Sequence, residues 1–371
     1  MRVLLVSANF RPSVGGIERF VEILAEGLAE RGHTVTVAAC RTGGAPKREH
    51  AGAVQIVRIP ATDLLRERFK VPYPIPSPRA CIRTLRELVA QADVVHAQDA
   101  VYLTSVASLL LAKRLGVTSI LTQHVSFVAQ GNAFLDLAQR AANRTLGRVA
   151  RAADAVAVYN PTVAGWARRT WGLTDVRTLP IGVTAPSVST RERALARREL
   201  GLAEDRVVAL FAGRDVPKKR LDVFLAAGDP AYELVAVTDR VDNGSSPARV
   251  VPFMSPDRFA RVLAAADAFV LPSVGEGFPL ALQEALVAGV PCVVTREPGY
   301  ERFLSDGDVV FVPPDPAAIR EALRGLAADP AHRQTLAERA RIVGEREFGV
   351  KSFVDAYESL YEETRSERPP A

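Results

Sequence analysis

Cysteine is scarce in this chain. Only Cys40, Cys81 and Cys292 occur in 371 residues, each in or beside an apolar run and none in a CxxC pair. Such usage excludes a disulfide framework and structural zinc, and it fits a reducing compartment. Long hydrophobic runs are missing as well. Nothing approaches the ~20 apolar residues of a membrane span. The opening MRVLLVSANF is too short an apolar run for a signal peptide and reads as a buried strand. A cytoplasmic protein is expected, with peripheral contact at the inner membrane face left open. No Asp, His and Glu set has ligand spacing, and no Asp-x-Asp clamp accompanies the candidate sites below, so a metal is not expected. Nor is there a basic stripe with interleaved aromatics, which leaves nucleic acid without support as a partner.

What is present suits a sizeable enzyme. With 48% hydrophobic and 24% charged residues, the chain can bury substantial cores, and its length predicts roughly two domains of about 150–200 residues. The net charge of +5 conceals an asymmetry. Residues 1–185 hold 23 Lys+Arg against 13 Asp+Glu, or +10, while residues 186–371 hold 24 against 29, or −5. A basic N-terminal half can face an anionic acceptor or a phospholipid surface, or simply carry solvated arginines. Arg66, Arg68, Lys70 and Arg79, around the proline-rich YPIPSP, are best placed for an acceptor or membrane loop.

Strands and helices alternate along the whole chain. Val3–Ser7 reads as a strand, followed by a loop through Gly15-Gly16 and a helix to about Arg31, whose Ile17, Phe20, Val21, Leu24 and Leu28 recur at helical spacing. Gly32 ends that helix. Further strands are predicted at Val35–Ala39, Val54–Ile59, Val94–His96, Ser119–Thr122 and Ala155–Val158. Around Leu179 to Ser189 the pattern breaks into Pro, Gly, Ser and Thr, which marks a linker. Alternation resumes with Val207–Ala212, Leu234–Val237, Val250–Phe253, Ala268–Leu271 and Cys292–Thr295. Two successive βα series predict an α/β protein of two doubly wound, Rossmann-like domains facing a central cleft, residues 1–184 and 185–349. A last amphipathic helix over 350–364 carries Phe353, Tyr357, Leu360 and Tyr361 on one side.

Four constellations can carry chemistry. GEGFPLALQEALVAGVP, from Gly275 to Pro291, sits between two predicted strands and holds Glu276 in a turn and Glu284 in the following helix. The first amides of that helix, at Leu280 and Ala281, suit a phosphate, and the carboxylates suit hydroxyls, a combination that fits a nucleotide sugar. Pro279 donates none. Second, Arg214, Lys218, Lys219 and Arg220 cluster after the strand Val207–Ala212, where a leaving diphosphate needs neutralising when no metal is held. A solvated basic turn is the competing explanation. Third, Gly15 and Gly16 let backbone approach a ligand at a helix start, or serve only a tight turn. Fourth, His96 and His124 end strands of the first half. His96 reads as structural, and His124 reads equally well as structural or functional.

GGIE near the start, GRDVPKKR after a mid-chain strand and EGFPLALQEALVAGVPCVVT together resemble glycosyltransferase family 4 over nearly the full length. The resemblance implies a retaining, metal-independent GT-B enzyme whose last helix packs back on the N-terminal domain, with the donor on the C-terminal domain and the acceptor entering from the N-terminal one. By motif, Arg214 and Lys219 would bind the donor diphosphate and Glu284 the ribose hydroxyls. Glu276 and the backbone of Gly277, Phe278 and Leu280 would hold the transferred sugar. Gly16 beside Gly15 would add an amide at the phosphate, and His124 would sit by the sugar, so that Glu276, His124, Lys219 and Arg214 form the catalytic set. A UDP-sugar is expected ahead of a GDP-sugar, with no other cofactor. The acceptor is a saccharide, a cyclitol, a lipid-linked sugar or a small metabolite.

The chain also departs from that pattern. Ile181-Gly182-Val183-Thr184 replaces the usual Asn-Gly-Val-Asp, Thr238-Asp239-Arg240 replaces a glycine-rich turn, and Glu297-Pro298-Gly299-Tyr300 stands where a small glycine pair is usual. The stretches from Lys219 to Val237 and from Thr238 to Phe253 are short, so the donor domain looks trimmed. Two alternatives follow: another GT-B-like enzyme, a phosphorylase or epimerase, and a non-catalytic sugar-nucleotide-binding accessory protein. An epimerase would want further acid/base groups. An accessory protein would explain the trimming but not the intact Arg214, Lys219, Glu276 and Glu284.

Overall fold

Strands made of unbroken apolar runs belong in the middle of a parallel sheet, where both faces are covered. The computed structural model places VLLV, VVALFA, AFVL and CVVT in such positions, every one of them in a buried strand. It describes all residues except 14, 42–43, 70–72, 127–132, 184–188, 241–245, 276–277, 302 and 369–371. The chain divides into two compact units, Met1–Gly182 with Phe353–Ala371, and Val183–Ser352.

The first unit opens with β1 (Arg2–Val6), α1 (Gly16–Glu30), β2 (Thr34–Arg41), β3 (Arg48–Ala51) and β4 (Val54–Thr62). There follow α2 (Leu64–Phe69), β5 (Ile75–Pro76), α3 (Pro78–Gln91), β6 (Val94–Gln98), α4 (Leu103–Leu115) and β7 (Thr118–Gln123). It continues with α5 (Ala133–Thr145), β8 (Ala155–Val158), α6 (Pro161–Trp171) and β9 (Arg177–Thr178). Its sheet runs β3-β4-β2-β1-β6-β7-β8-β9, with β5 on β4. The interior pairs are parallel, Val3 lying between Val35 and Val94. Among the described residues, only β3 and β5 pair antiparallel, both to β4. The sequence gives no sign of β3, because REHA is an edge strand of alternating exposed and half-buried positions without an apolar run.

The second unit holds α7 (Thr190–Glu199), β10 (Val207–Ala212), α8 (Leu221–Ala226), β11 (Tyr232–Val237), β12 (Arg249–Val251) and α9 (Pro256–Ala265). It ends with β13 (Ala268–Leu271), α10 (Leu280–Val287), β14 (Cys292–Thr295), β15 (Val310–Val312), α11 (Pro316–Ala328) and α12 (Pro330–Phe348). Its sheet is parallel throughout, in the order β12-β11-β10-β13-β14-β15. Strand order reverses at β10, so the crevice beyond the ends of β10 and β13 is a topological switch point. The helix after β10 is a mere six residues long, and among the described residues none follows β11. Asp267 fastens α7 to this sheet. Its carboxylate accepts from Arg193 (2.6 Å), Arg197 (2.5 Å) and the Val208 amide (2.8 Å).

The final helix α13 (Val350–Ser366) buries Phe353, Val354, Tyr357, Leu360 and Tyr361. From Phe353 onward it belongs to the first unit, where Phe353 and Tyr357 meet Phe20 edge-on, at 5.0 and 5.5 Å between ring centroids. The Tyr361 hydroxyl lies 2.7 Å from His96 Nδ1, and His96 Nε2 lies 2.7 Å from Thr122 Oγ1. Burial pushes His96 down to about 3, so the ring is neutral. His96 is a structural tie between sheet and helix.

Candidate active site

The second unit assembles its site from three loops at the carboxyl ends of its strands. After β10, the Gly213 amide donates to the Val237 carbonyl (3.0 Å) and the Asp215 amide to the Asp239 carboxylate (2.7 Å), fixing the basic loop against the end of β11. That amide bond is the main cause holding the Asp239 carboxyl below its ordinary range. The Lys218 carbonyl accepts from the Val274 amide (2.9 Å), which joins the loop to the turn after β13. Gly213 permits a close approach. A Cβ there would stand 3.4 Å from Lys219 Cδ and 3.3 Å from the Phe211 ring, so the lysine stem lies across the glycine.

The third loop leads into α10. Gly275 takes φ +69, a left-handed turn that favours glycine, and its amide donates to the Glu297 carboxylate (3.0 Å). Phe278 is buried against Tyr300, Phe303 and Phe348 at 5.2, 5.1 and 4.7 Å, so it anchors the loop and offers a ligand only its backbone. Pro279 caps α10, and the helix geometry leaves the Leu280 and Ala281 amides without intrahelical acceptors.

These loops enclose a cavity of about 390 Å³ lined by Arg214, Lys218, Lys219, Leu280, Ala281 and Glu284, among others. Three cationic residues of the sequence-predicted cluster, two residues of the first turn of α10 and one carboxylate residue therefore share one cavity. Glu276 and Gly277 lie outside the described residues. Arg220 does not line the cavity. It takes φ +52, and its guanidinium lies 3.6 Å from the Asp222 carboxylate at the surface. The far wall is apolar, formed by Val237, Phe253, Met254 and Phe259. The sequence analysis assigns Phe253 to a strand over Val250–Phe253, but β12 ends at Val251, and Phe253 and Met254 beyond it line the cavity instead. Glu297 was noted only as a departure, and nothing in the sequence marks it as the acceptor for Gly275.

Among the described residues no three His, Cys, Asp or Glu side chains are grouped as a metal would require. Asp306 and Asp308 do have Asp-x-Asp spacing, but Asp306 pairs with Arg296 and Asp308 accepts from the Ser305 amide (2.9 Å) and hydroxyl.

In the first unit, Gly15 is the extended N-cap of α1, and the Glu18 carboxylate packs against its Cα, within 2.3 Å of where a Cβ would be. Gly16 begins the helix, and a Cβ there would meet nothing within 4 Å. Phe20, one turn on, packs edge-on against His124 at 4.7 Å. His124 is buried just past β7, with Nε2 2.8 Å from Gln98 Oε1. Burial pushes its imidazole down to about 3, so it acts as a neutral hydrogen-bonding ring.

Asp99 is the residue here that sequence reasoning missed. It follows β6 in a left-handed conformation (φ +52), buried, with its carboxylate accepting from the His124 amide at 2.7 Å. A buried acid with a left-handed backbone at a strand's carboxyl end is a candidate functional position. Burial pushes it up to about 7 from 3.8, against the amides of His124 and Val125. Because the folded value lies above the unfolded one, the native state binds an extra proton between them, and stability falls as pH rises through that window. Asp99→Asn keeps the acceptor oxygen and tolerates the left-handed backbone. Urea unfolding from pH 4 to 7 is expected to show a decline in the wild type that is reduced in Asp99→Asn. An equal decline in both would place the titration elsewhere.

A model of Glycosyltransferase Family 4 matches residues 14–185, and one of Glycosyl transferases group 1 matches residues 245–343. The D-inositol 3-phosphate glycosyltransferase of Geodermatophilus obscurus is 31% identical over 307 residues, covering 73% of this chain and 67% of that protein. The chain belongs to glycosyltransferase family 4. This family 4 enzyme is also 29% identical to the GDP-mannose-dependent alpha-mannosyltransferase of Mycolicibacterium smegmatis, over 82% of each chain. In fold it matches Anabaena HepE, solved in complex with UDP, with a TM-score of 0.68 at 14% identity, covering 98% of this chain and 100% of that one. Its two Rossmann-like sheets are those of a GT-B glycosyltransferase. No described helix is long and apolar enough to cross a membrane.

Proposed function

We propose that this family 4 enzyme transfers a glycosyl group from a nucleoside diphosphate sugar to an acceptor hydroxyl, with retention at the anomeric carbon and without a metal ion. The observation that carries the reading is the gathering of Arg214, Lys219, Glu284 and the Leu280 and Ala281 amides around one cavity. In this reading the amides and the two cations take the diphosphate, Glu284 takes the ribose diol, and the apolar wall takes the base. A UDP-sugar is the proposed donor, ahead of a GDP-sugar. Glu276 and the Gly277–Leu280 backbone hold the transferred sugar. His124 offers the sugar a neutral imidazole, and Gly16 offers the phosphate an amide.

The reaction proceeds on one face of the sugar. The glycosidic C–O bond to the diphosphate breaks through an oxocarbenium-like state, the acceptor oxygen bonds to the same carbon, and the departing phosphate oxygen takes the acceptor's proton. The protein's part is positioning and charge stabilisation. The acceptor is a saccharide, cyclitol, lipid-linked sugar or small metabolite, bound by the first unit.

The test is a panel of UDP- and GDP-sugars with such acceptors in the presence of EDTA, following nucleotide release and the product's anomeric configuration by NMR. Acceptor-dependent release with retained configuration is expected. Inverted product, or activity abolished by EDTA and restored by a divalent ion, would overturn the corresponding part of the proposal. Gly16→Ala adds a check on the first unit. Since a Cβ there meets no protein atom within 4 Å, the unfolding free energy should change by less than about 0.5 kcal/mol, while donor affinity falls because the added methyl obstructs the phosphate's approach to that amide. Unchanged affinity would remove Gly16 from the phosphate site.

A further inference from the structure

We propose that Arg58 is a positioning residue. Its buried guanidinium fixes the β1–α1 loop, and with it the Gly16 amide that the proposed function sets at the donor phosphate. β4 is apolar around this arginine. Ile56, Val57 and Ile59 are no more than 3% exposed, and Arg58 among them is 5% exposed. Taking a cation out of water is costly unless its donors are satisfied, and a well-packed aliphatic side chain usually serves stability as well or better. The reason for an arginine at this position therefore lies in what it holds.

It holds three segments together. Nη2 donates to the Arg11 carbonyl (2.8 Å) and to Glu49 Oε1 (2.6 Å), and Nη1 donates to the Pro46 carbonyl (3.1 Å). Glu49 comes from β3, where it pairs with Ile56 and so stands on the same face as Arg58. The edge strand thereby brings a carboxylate to the buried charge. The Arg11 carbonyl is the contact with consequences, because Arg11 lies in the loop that leads from β1 to Gly16 at the start of α1. That loop is fastened at its root, where the Cys40 amide donates to the Ala8 carbonyl (3.1 Å). Further on, the Arg11 side chain pairs with Glu22 of α1 (3.1 Å), and Arg58 grips the backbone of that same residue.

Arg197 makes a useful contrast, being the other buried arginine among the described residues. It donates to Asp267 and to the carbonyls of Ala203, Glu204 and Arg206, which precede β10 at the end of the strand away from the cavity. Arg58 alone of the two reaches a loop of the candidate site. It touches neither substrate and acts through that loop. A loop displaced by about 1 Å no longer holds an amide within hydrogen-bonding distance of a phosphate oxygen. The inference rests on the proposed place of Gly16 at the phosphate.

The experiment is calorimetric titration of UDP into folded Arg58→Met, Gly16→Ala and Glu284→Ala, and into the two double variants that combine Arg58→Met with each of the others. Arg58→Met is expected to weaken UDP binding by roughly tenfold, as for one charge-assisted hydrogen bond. Gly16→Ala should add little to that loss, because the amide it obstructs is already displaced. Glu284→Ala, which shares no partner with Arg58, should cost the same factor in either background. Arg58→Lys, restoring the charge without the planar fork, should recover part of the affinity. Unchanged UDP affinity in folded Arg58→Met, or fully additive losses with Gly16→Ala, would mean a role in stability alone and overturn the inference. Unchanged affinity in Gly16→Ala would overturn the phosphate role of Gly16 and this inference together, whereas a loss there with none in Arg58→Met would overturn this inference alone. Should Arg58→Met not fold, Arg58→Lys takes its place in the same cycle, with the same pattern and a smaller loss expected.

Discussion

Lys219→Ala is expected to lower kcat by roughly 100- to 1,000-fold while leaving the urea midpoint almost unchanged. As the glycosidic bond breaks, negative charge grows on the phosphate oxygen, and a preorganised cation in a partly water-excluded cavity stabilises that charge more in the transition state than in the bound donor. Lys219 lines the cavity with its stem across Gly213. The loss should therefore appear in kcat more than in KM. Lys219→Arg should recover part of it, since the charge returns with a different hydrogen-bonding geometry. Arg214 remains in both variants, which is why neither should abolish donor binding. Wild-type kcat in Lys219→Ala would remove this residue from the mechanism.

The second large effect is expected in binding. Glu284 is the fifth residue of α10 and lines the same cavity as the helix's first amides. Hydrogen bonds from a diol to a carboxylate are worth about 1.5–3 kcal/mol when charged partners are involved. Glu284→Ala should weaken nucleoside diphosphate affinity by roughly 10- to 100-fold. A double cycle with a deoxyribose analogue isolates the contact: for the analogue, the same substitution should cost little. Equal losses for ribose and deoxyribose ligands would contradict the ribose role and point to a repelled phosphate or a disturbed helix.

Most of the architecture was legible because parallel strands covered on both faces leave uninterrupted apolar runs, as in VVALFA and AFVL. What escaped is what burial does not write into sequence. REHA alternates half-buried and exposed positions at an edge, and the half-buried VFV of β15 lies at the other sheet's edge. At the site, the charge run was readable but its directions were not: a left-handed turn at Arg220 sends that side chain to the surface, while Arg214, Lys218 and Lys219 line the cavity. Phe278 stands inside the most informative motif, yet its ring belongs to the core. Asp99 is an ordinary acid in the string HAQD. Its chemistry comes from burial, from the neighbouring β7 that aims the His124 amide at it, and from a backbone angle no local pattern announces.

The most direct test of the central claim is calorimetric titration of UDP, GDP and ADP into the purified protein without divalent metal. The account predicts that one of them, UDP first, binds tightly and that Glu284→Ala weakens it. Failure of all three to bind to a demonstrably folded sample would contradict a donor site at Arg214, Lys219 and Glu284.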